Sequence, residues 1–334
     1  MADGKRLRPD TFNRHVNNVY PALSLLAGLE LDVFTPLSDG AKTAAEVAAA
    51  LDVNAGKLEP LLYALVTADM LTVEDGRFAN TEESEQFLVK GKPGYIGGQK
   101  DALADLWSAT LKTADSIRTG RPQAKHDFSA MSQDELSAFI RSLDPGASAA
   151  ARRLMRSFDF SGLRHVLDAG GGSGGMAVTL CRANEGLAAT VAELPNVAGI
   201  TRDCIGEAGM AERIAVQDAD LAARPPDGEY DAAVLRALIQ VLSREQAAAV
   251  IRHVGAAVSP GGRAFIIGRV LDDSRTAPFD AVASNVMFLN IYDDGQAYTE
   301  GEHRQWLEDA GFGDVAREPL NGGYSIMSGI KSRP

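Results

Sequence analysis

Hydrophobic positions recur at helical spacing through the first seventy residues. Between Asn13 and Val33 the apolar side chains Val16, Val19, Leu23, Leu26 and Ala27 fall three or four apart, which predicts a helix with one buried stripe. Thr43-Ala44-Ala45-Glu46 has the polar signature of a helix start, a capping Thr with Glu three residues on, and opens a helix to Leu51. A second helix, over about Lys57–Met70, gathers Leu58, Leu61, Leu62, Leu65 and Val66 on one face. Leu71–Val73 and Arg77–Ala79 then read as short strands, joined by the turn Glu74-Asp75-Gly76. Helix, helix, hairpin is the outline of a winged helix. Residues 100–160 return to a helical pattern, with Trp107, Phe128, Phe139 and Phe158 among the apolar positions and Pro145-Gly146 as a break.

From Arg164 onward strands and helices alternate. Val166–Asp168, Ala189–Ala192, Ile214–Gln217, Ala232–Leu235 and Arg263–Val270 read as strands, with Arg244–Val258 as the clearest helix between them. The chain closes with a helix over Glu300–Ala310 and a strand over Gly323–Ile330. Alternation of this kind predicts an α/β, doubly wound domain whose parallel sheet is covered on both faces.

Composition narrows the class. The 334 residues, 45% of them hydrophobic, suffice for a large domain and a smaller one. The net charge of −12 opposes phosphate neutralisation, and the second winged-helix helix has one basic residue, Lys57, so nucleic acid is not the expected partner. The start, Met1–Asp10, is charged without an apolar stretch, and no window approaches a membrane span. Cys181 and Cys204 form no CxxC pair and the five histidines are dispersed, so neither a disulfide framework nor a metal site is expected. A cytoplasmic enzyme free of membrane contact is the resulting expectation.

The candidate chemistry lies where the first of these strands ends. His165-Val166-Leu167-Asp168-Ala169 runs into Gly170-Gly171-Gly172-Ser173-Gly174-Gly175, five glycines in six positions. Such a turn lets backbone approach a ligand closely. Its Gly170-x-Gly172-x-x-Gly175 spacing also fits a dinucleotide fingerprint. Asp168, two residues before the first glycine, favours S-adenosylmethionine (SAM), whose ammonium end a carboxylate attracts. Glu193, after the second strand, can take both ribose hydroxyls. Gln217-Asp218-Ala219-Asp220-Leu221 offers an acid and an apolar residue to an adenine.

With these motifs in place, the sequence resembles the SAM-dependent O-methyltransferases that include plant caffeate and flavonoid enzymes and bacterial antibiotic-tailoring enzymes. The resemblance rests on Leu58-Glu59-Pro60-Leu61-Leu62-Tyr63-Ala64-Leu65, Phe78-Ala79-Asn80-Thr81, Asp168–Gly175 and Glu193-Leu194-Pro195. It continues through Ser259-Pro260-Gly261-Gly262, Tyr298-Thr299-Glu300 and Ala310-Gly311-Phe312. It implies a winged-helix-like dimerisation domain over residues 1–100, a helical linker and acceptor-pocket segment over 101–160, and a Rossmann-like SAM-binding domain over 161–334. It also implies a homodimer through the N-terminal domain and a small, usually aromatic, acceptor. By family position Asp168, Gly170, Gly172, Glu193, Asp220, Leu221 and Arg236 hold the cofactor. Phe139, Leu143, Met287, Phe288 and Tyr292 line the acceptor pocket.

The chain departs from the family at its base. A His-Asp-Trp stretch usually follows the fourth strand, and that His removes the acceptor's proton. Here the segment reads Leu235-Arg236-Ala237-Leu238-Ile239-Gln240, with Gln240 at the base position. The two flanking carboxylates of plant members fall at Gly268 and Ala297. Glutamine exchanges hydrogen bonds but holds no proton at neutral pH. Transfer driven by proximity, with Gln240 orienting the acceptor, is one expectation. A relocated base, whether His303, a partner subunit's His15, or Asp293 and Asp294, is another, and methylation at carbon or nitrogen a third. A fourth is use of SAM without methyl transfer.

Overall fold

The computed structural model describes residues 7–333; Met1–Arg6 and Pro334 lie outside the described residues. The described chain separates into two compact units, divided after Ser108 near the end of a helix over Lys100–Thr110.

In the first unit the helix expected over Asn13–Val33 is two helices, Asp10–Asn17 and Val19–Leu31. Pro21 accounts for the interruption, since it has no N–H to offer the carbonyl of Asn17 four residues back. Of the apolar stripe, Val16, Val19 and Leu23 are exposed and Leu26 and Ala27 half-buried, and Phe12 and Tyr20 are exposed beside them. The Thr43–Glu46 capping box forms as the sequence indicates and opens the helix Ala44–Leu51. Helix Ala55–Thr67 starts two residues earlier than its periodicity suggests, because the Asn54 side chain caps it by accepting from Lys57 N–H at 3.0 Å. Three short strands, β1 (Lys42–Thr43), β2 (Leu71–Glu74) and β3 (Arg77–Asn80), pair antiparallel in the order β1-β3-β2. Phe34, Leu58, Leu62, Leu65 and Phe78 form the core beneath them.

The second unit is a twisted sheet between helices. Its strands are β4 (His165–Ala169), β5 (Ala188–Glu193), β6 (Ile214–Asp218), β7 (Tyr230–Arg236), β8 (Val258–Leu271), β9 (Tyr298–Thr299), β10 (Phe312–Pro319) and β11 (Tyr324–Lys331). The order is β10-β11-β8-β7-β4-β5-β6, with β9 pairing β8. Strands β4 to β8 run parallel, whereas β11 and β10 are antiparallel. Apolar runs such as Ala232–Leu235 are buried throughout, as expected of strands covered on both sides. The strand order reverses at β4, which places a crevice beyond the carboxyl ends of β4 and β7. Pro145-Gly146 marks the start of helix Asp144–Ser157, just after helix Gln133–Ser142. Among the described residues no helix is long and apolar enough to cross a membrane.

Candidate active site

At the carboxyl end of β4 the backbone turns through Gly170 (φ +66°) and Gly172 (φ +58°), a left-handed conformation that other residues adopt at a cost. Gly171 is required for space instead: a Cβ there would lie 2.6 Å from the Asp168 carboxyl carbon and 2.7 Å from Val191. The turn wraps the Asp168 carboxylate, which is 1% exposed. Its Oδ2 accepts from Ala177 N–H at 3.2 Å, but its Oδ1 has no partner. Burial pushes the Asp168 carboxyl up to about 7, against the pull of that N–H. An orphaned buried acceptor is costly, and an arriving ammonium group satisfies it.

Glu193, ending β5, faces the same turn. Oε1 accepts from Gly172 N–H and Oε2 from Leu194 N–H, both at 2.8 Å, while burial raises its pKa. Two bonds leave lone pairs on the carboxylate for a diol. Asp220 is exposed and accepts from Ala222 N–H at 2.9 Å. Leu221, next to it, is 6% exposed and packs in the main core. Leu194, beside Glu193, is 41% exposed and offers apolar surface there. In the sequence Leu194 stands out only as a family mark, and Asp144 does not stand out at all. Asp144 Oδ1 accepts from Ser173 Oγ at 2.8 Å and ties the helix Asp144–Ser157 to the glycine turn.

Arg236 ends β7, half-buried, and its guanidinium makes no hydrogen bond or ion pair with the described residues. Ala237 after it adopts φ +55°, a strained conformation for a residue with a Cβ. This kink leads to Gln240, which is 8% exposed. Gln240 Oε1 accepts from the Arg269 N–H at 2.9 Å. Gly268 lies beside it: a Cβ at that position would be 3.1 Å from Gln240 Oε1. With one Oε1 lone pair engaged, Gln240 keeps the second lone pair and its amide nitrogen, which donates.

His303 is placed otherwise than the relocated base requires. It is 2% exposed, its Nδ1 lies 2.9 Å from the Thr299 carbonyl, and its ring packs edge-on against Tyr298 and Trp306. Burial lowers its pKa to about 4. This is a packing histidine. His15 is exposed on the first helix.

The acceptor-pocket candidates split. Phe139 packs on Phe128 and His126 with centroids 5.2 and 6.0 Å apart, and His126 meets Tyr292 at 6.5 Å. These rings form one aromatic group. Met287 is half-buried and Leu143 is 38% exposed, both open to a ligand. Phe288, at 2% exposure, belongs to the packing beneath Tyr292, 5.5 Å away. A cleft of about 560 Å³ opens beside Arg236, between helix Asp144–Ser157 and the sheet, with Ile267, Leu320 and Tyr324 in its walls.

The turn, the orphaned Asp168 oxygen and the unpaired Arg236 have the chemistry to take the ammonium and carboxylate of an amino-acid cofactor. Residues 112–313 match the O-methyltransferase domain family and residues 14–90 its dimerisation domain. The chain belongs to the SAM-dependent O-methyltransferase family. It is 30% identical over 318 residues to a 3-hydroxy-5-methyl-1-naphthoate 3-O-methyltransferase of Streptomyces sahachiroi, covering 92% of this chain and 91% of that one. It is 26% identical to the tetracenomycin polyketide synthesis 8-O-methyl transferase of Streptomyces glaucescens, covering 94% of each. Among solved structures, PigF with SAH superposes with a TM-score of 0.79 at 26% identity, covering 97% of this chain and 99% of that one.

Proposed function

We propose that this enzyme methylates a hydroxyl group on a small aromatic or polyketide-like natural product without a general base: the hydroxyl loses its proton to water first, and its oxyanion takes the methyl while the sulfonium leaves as a neutral thioether. Gln240 carries this reading: its carbonyl oxygen is held by Arg269 N–H, and the flanking positions are Gly268 and Ala297. The amide nitrogen donates to the acceptor oxygen and fixes its direction of approach. Bound SAM supplies a methyl group already activated by its sulfonium. Asp168 receives the cofactor's ammonium, Arg236 its carboxylate and Glu193 its ribose, with Gly170 and Gly172 giving backbone access and Asp220 closing the adenine end. The ring group of Phe139 and Tyr292, with Leu143 and Met287, faces the acceptor. Residues 101–160 supply part of that pocket and 161–334 the cofactor domain. The hydroxynaphthoate named for the Streptomyces sahachiroi relative supports an aryl acceptor.

The test is formation of S-adenosylhomocysteine and a methyl ether in equal amounts from SAM and a hydroxynaphthoate panel. Methyl appearing on carbon or nitrogen, or cofactor turnover without methylated product, would overturn the reading.

We also propose a cytoplasmic homodimer through residues 1–100. The uncovered stripe Phe12, Val16, Val19, Tyr20 and Leu23 is the face for the second copy. Leu23→Asp, at an exposed position, should leave the chain folded and shift sedimentation from dimer to monomer at micromolar concentration. A monomeric parent protein, or a variant still fully dimeric, would contradict this assignment.

A further inference from the structure

The register of β7, β8 and β11 sets Arg269 against Tyr324, one wall of the cleft that Arg236 also lines. Arg236 is paired directly with Ile267, and Arg269 directly with Tyr324. Directly paired residues share a sheet face, as do positions two apart on one strand. Arg236, Ile267, Arg269 and Tyr324 therefore all project to one side. The Arg269 guanidinium lies 4.2 Å from the Tyr324 ring centroid and, like Arg236, has no ion pair among the described residues. From helix Asp144–Ser157 a third guanidinium, Arg153, reaches the same cleft, where Glu318 already neutralises it. Among the described residues that line the cleft there is no carboxylate, Glu318 reaching it only through its pair with Arg153, although the chain carries a net charge of −12. Asn321 contributes a further polar side chain, and Ile267, Leu320 and Tyr324 supply apolar surface.

A single cofactor carboxylate takes one guanidinium. Arg236, nearest the glycine turn, serves that purpose under the proposed function, on which this inference rests. Arg269 is left half-buried, stacked and unpaired. We infer that the acceptor carries a carboxylate in addition to its reacting hydroxyl, and that Arg269, stacked on Tyr324 at the wall of the cleft, receives that carboxylate while the aromatic body lies against Tyr324 and Ile267. Arg269 is also the residue whose backbone N–H holds Gln240, so one residue links carboxylate recognition to the orientation of the reacting oxygen. Planar bidentate pairing with carboxylate is the geometry in which arginine excels over lysine.

The experiment is a calorimetric titration of the whole protein, saturated with S-adenosylhomocysteine, with 3-hydroxy-2-naphthoate and with 2-naphthol at pH 7. The parent protein should bind the naphthoate about tenfold or more tightly than the naphthol, the worth of one charged hydrogen-bond pair. Arg269→Gln should remove most of that preference and leave naphthol binding within about twofold. Arg269→Lys should restore part of it. Titrating SAM into the same variants separates the two readings: unchanged SAM affinity shows the cofactor site intact, so that a lost preference belongs to the acceptor. Naphthoate binding no better than naphthol in the parent protein, both undetectable included, would overturn the inference. So would an equal loss for both probes in Arg269→Gln. Failure of the parent protein to bind SAM would instead strike the proposed function.

Discussion

Replacing Asp168 with asparagine should weaken SAM binding about 10- to 150-fold at pH 8, or ~1.5–3 kcal/mol, and abolish its pH dependence. The carboxyl stands at about 7 in the free protein because it is buried. Receiving an ammonium group requires its ionised form. Below about pH 7 the parent protein must therefore expel a proton to bind SAM, and affinity should fall towards tenfold per pH unit. Asparagine, neutral at every pH, has no such step. The sign for stability is opposite. The folded pKa lies above the ordinary 3.8, so the folded state holds the proton more tightly and the free protein loses stability as pH rises between about 4 and 7. Asp168→Asn should lack that loss. Calorimetry at several pH values and thermal melts of the free proteins check both. Equal SAM affinity and equal pH dependence in the two proteins would remove Asp168 from the cofactor site.

Gln240→Ala is the second large effect. Alanine removes the amide proposed to donate to the acceptor and leaves the Arg269 N–H, now bonded at 2.9 Å, without its partner. Losing a general base typically costs about 10²–10⁴-fold, whereas losing an orienting hydrogen bond should cost less and fall substantially on KM. Steady-state kinetics with a hydroxynaphthoate acceptor separates the two. A drop confined to kcat and exceeding about a thousandfold would show that Gln240 does more than orient.

Much of this site is legible in the chain because its parts are local. Asp168 and the glycine run lie within eight residues, and Glu193 ends the next strand. The buried strands β4, β5 and β7 announce themselves as apolar runs. Other features depend on partners distant in sequence. Asp144 meets Ser173 across 29 positions, and the Gln240–Arg269 bond spans the same distance. Neither leaves a local pattern, yet the second sets the orientation of the Gln240 amide. Strand β10 escapes a reading of the sequence because it is an edge: only Phe312 is buried, and its pairing is irregular between Gly313 and Ala316. His303 suggests a base through its chemistry alone. Its buried face with Trp306 and Leu307, three and four residues on, is a core stripe that helical spacing alone exposes. The first helix shows the reverse: its apolar stripe is visible in the sequence, but a single chain leaves Val16, Val19 and Leu23 uncovered.

The central claim is transfer without a base supplied by the protein. The direct measurement is the pH profile of kcat/KM for the acceptor at saturating SAM, where Asp168 is already ionised by the bound cofactor. It should be taken with two hydroxynaphthoates whose hydroxyl pKa values differ. The profile should rise with each acceptor's own hydroxyl ionisation and move when the acceptor is changed, with no limb belonging to the enzyme near the histidine value of about 6.5. A limb near 6.5 that stays fixed for both acceptors, and disappears in His303→Asn or His15→Asn, would contradict it.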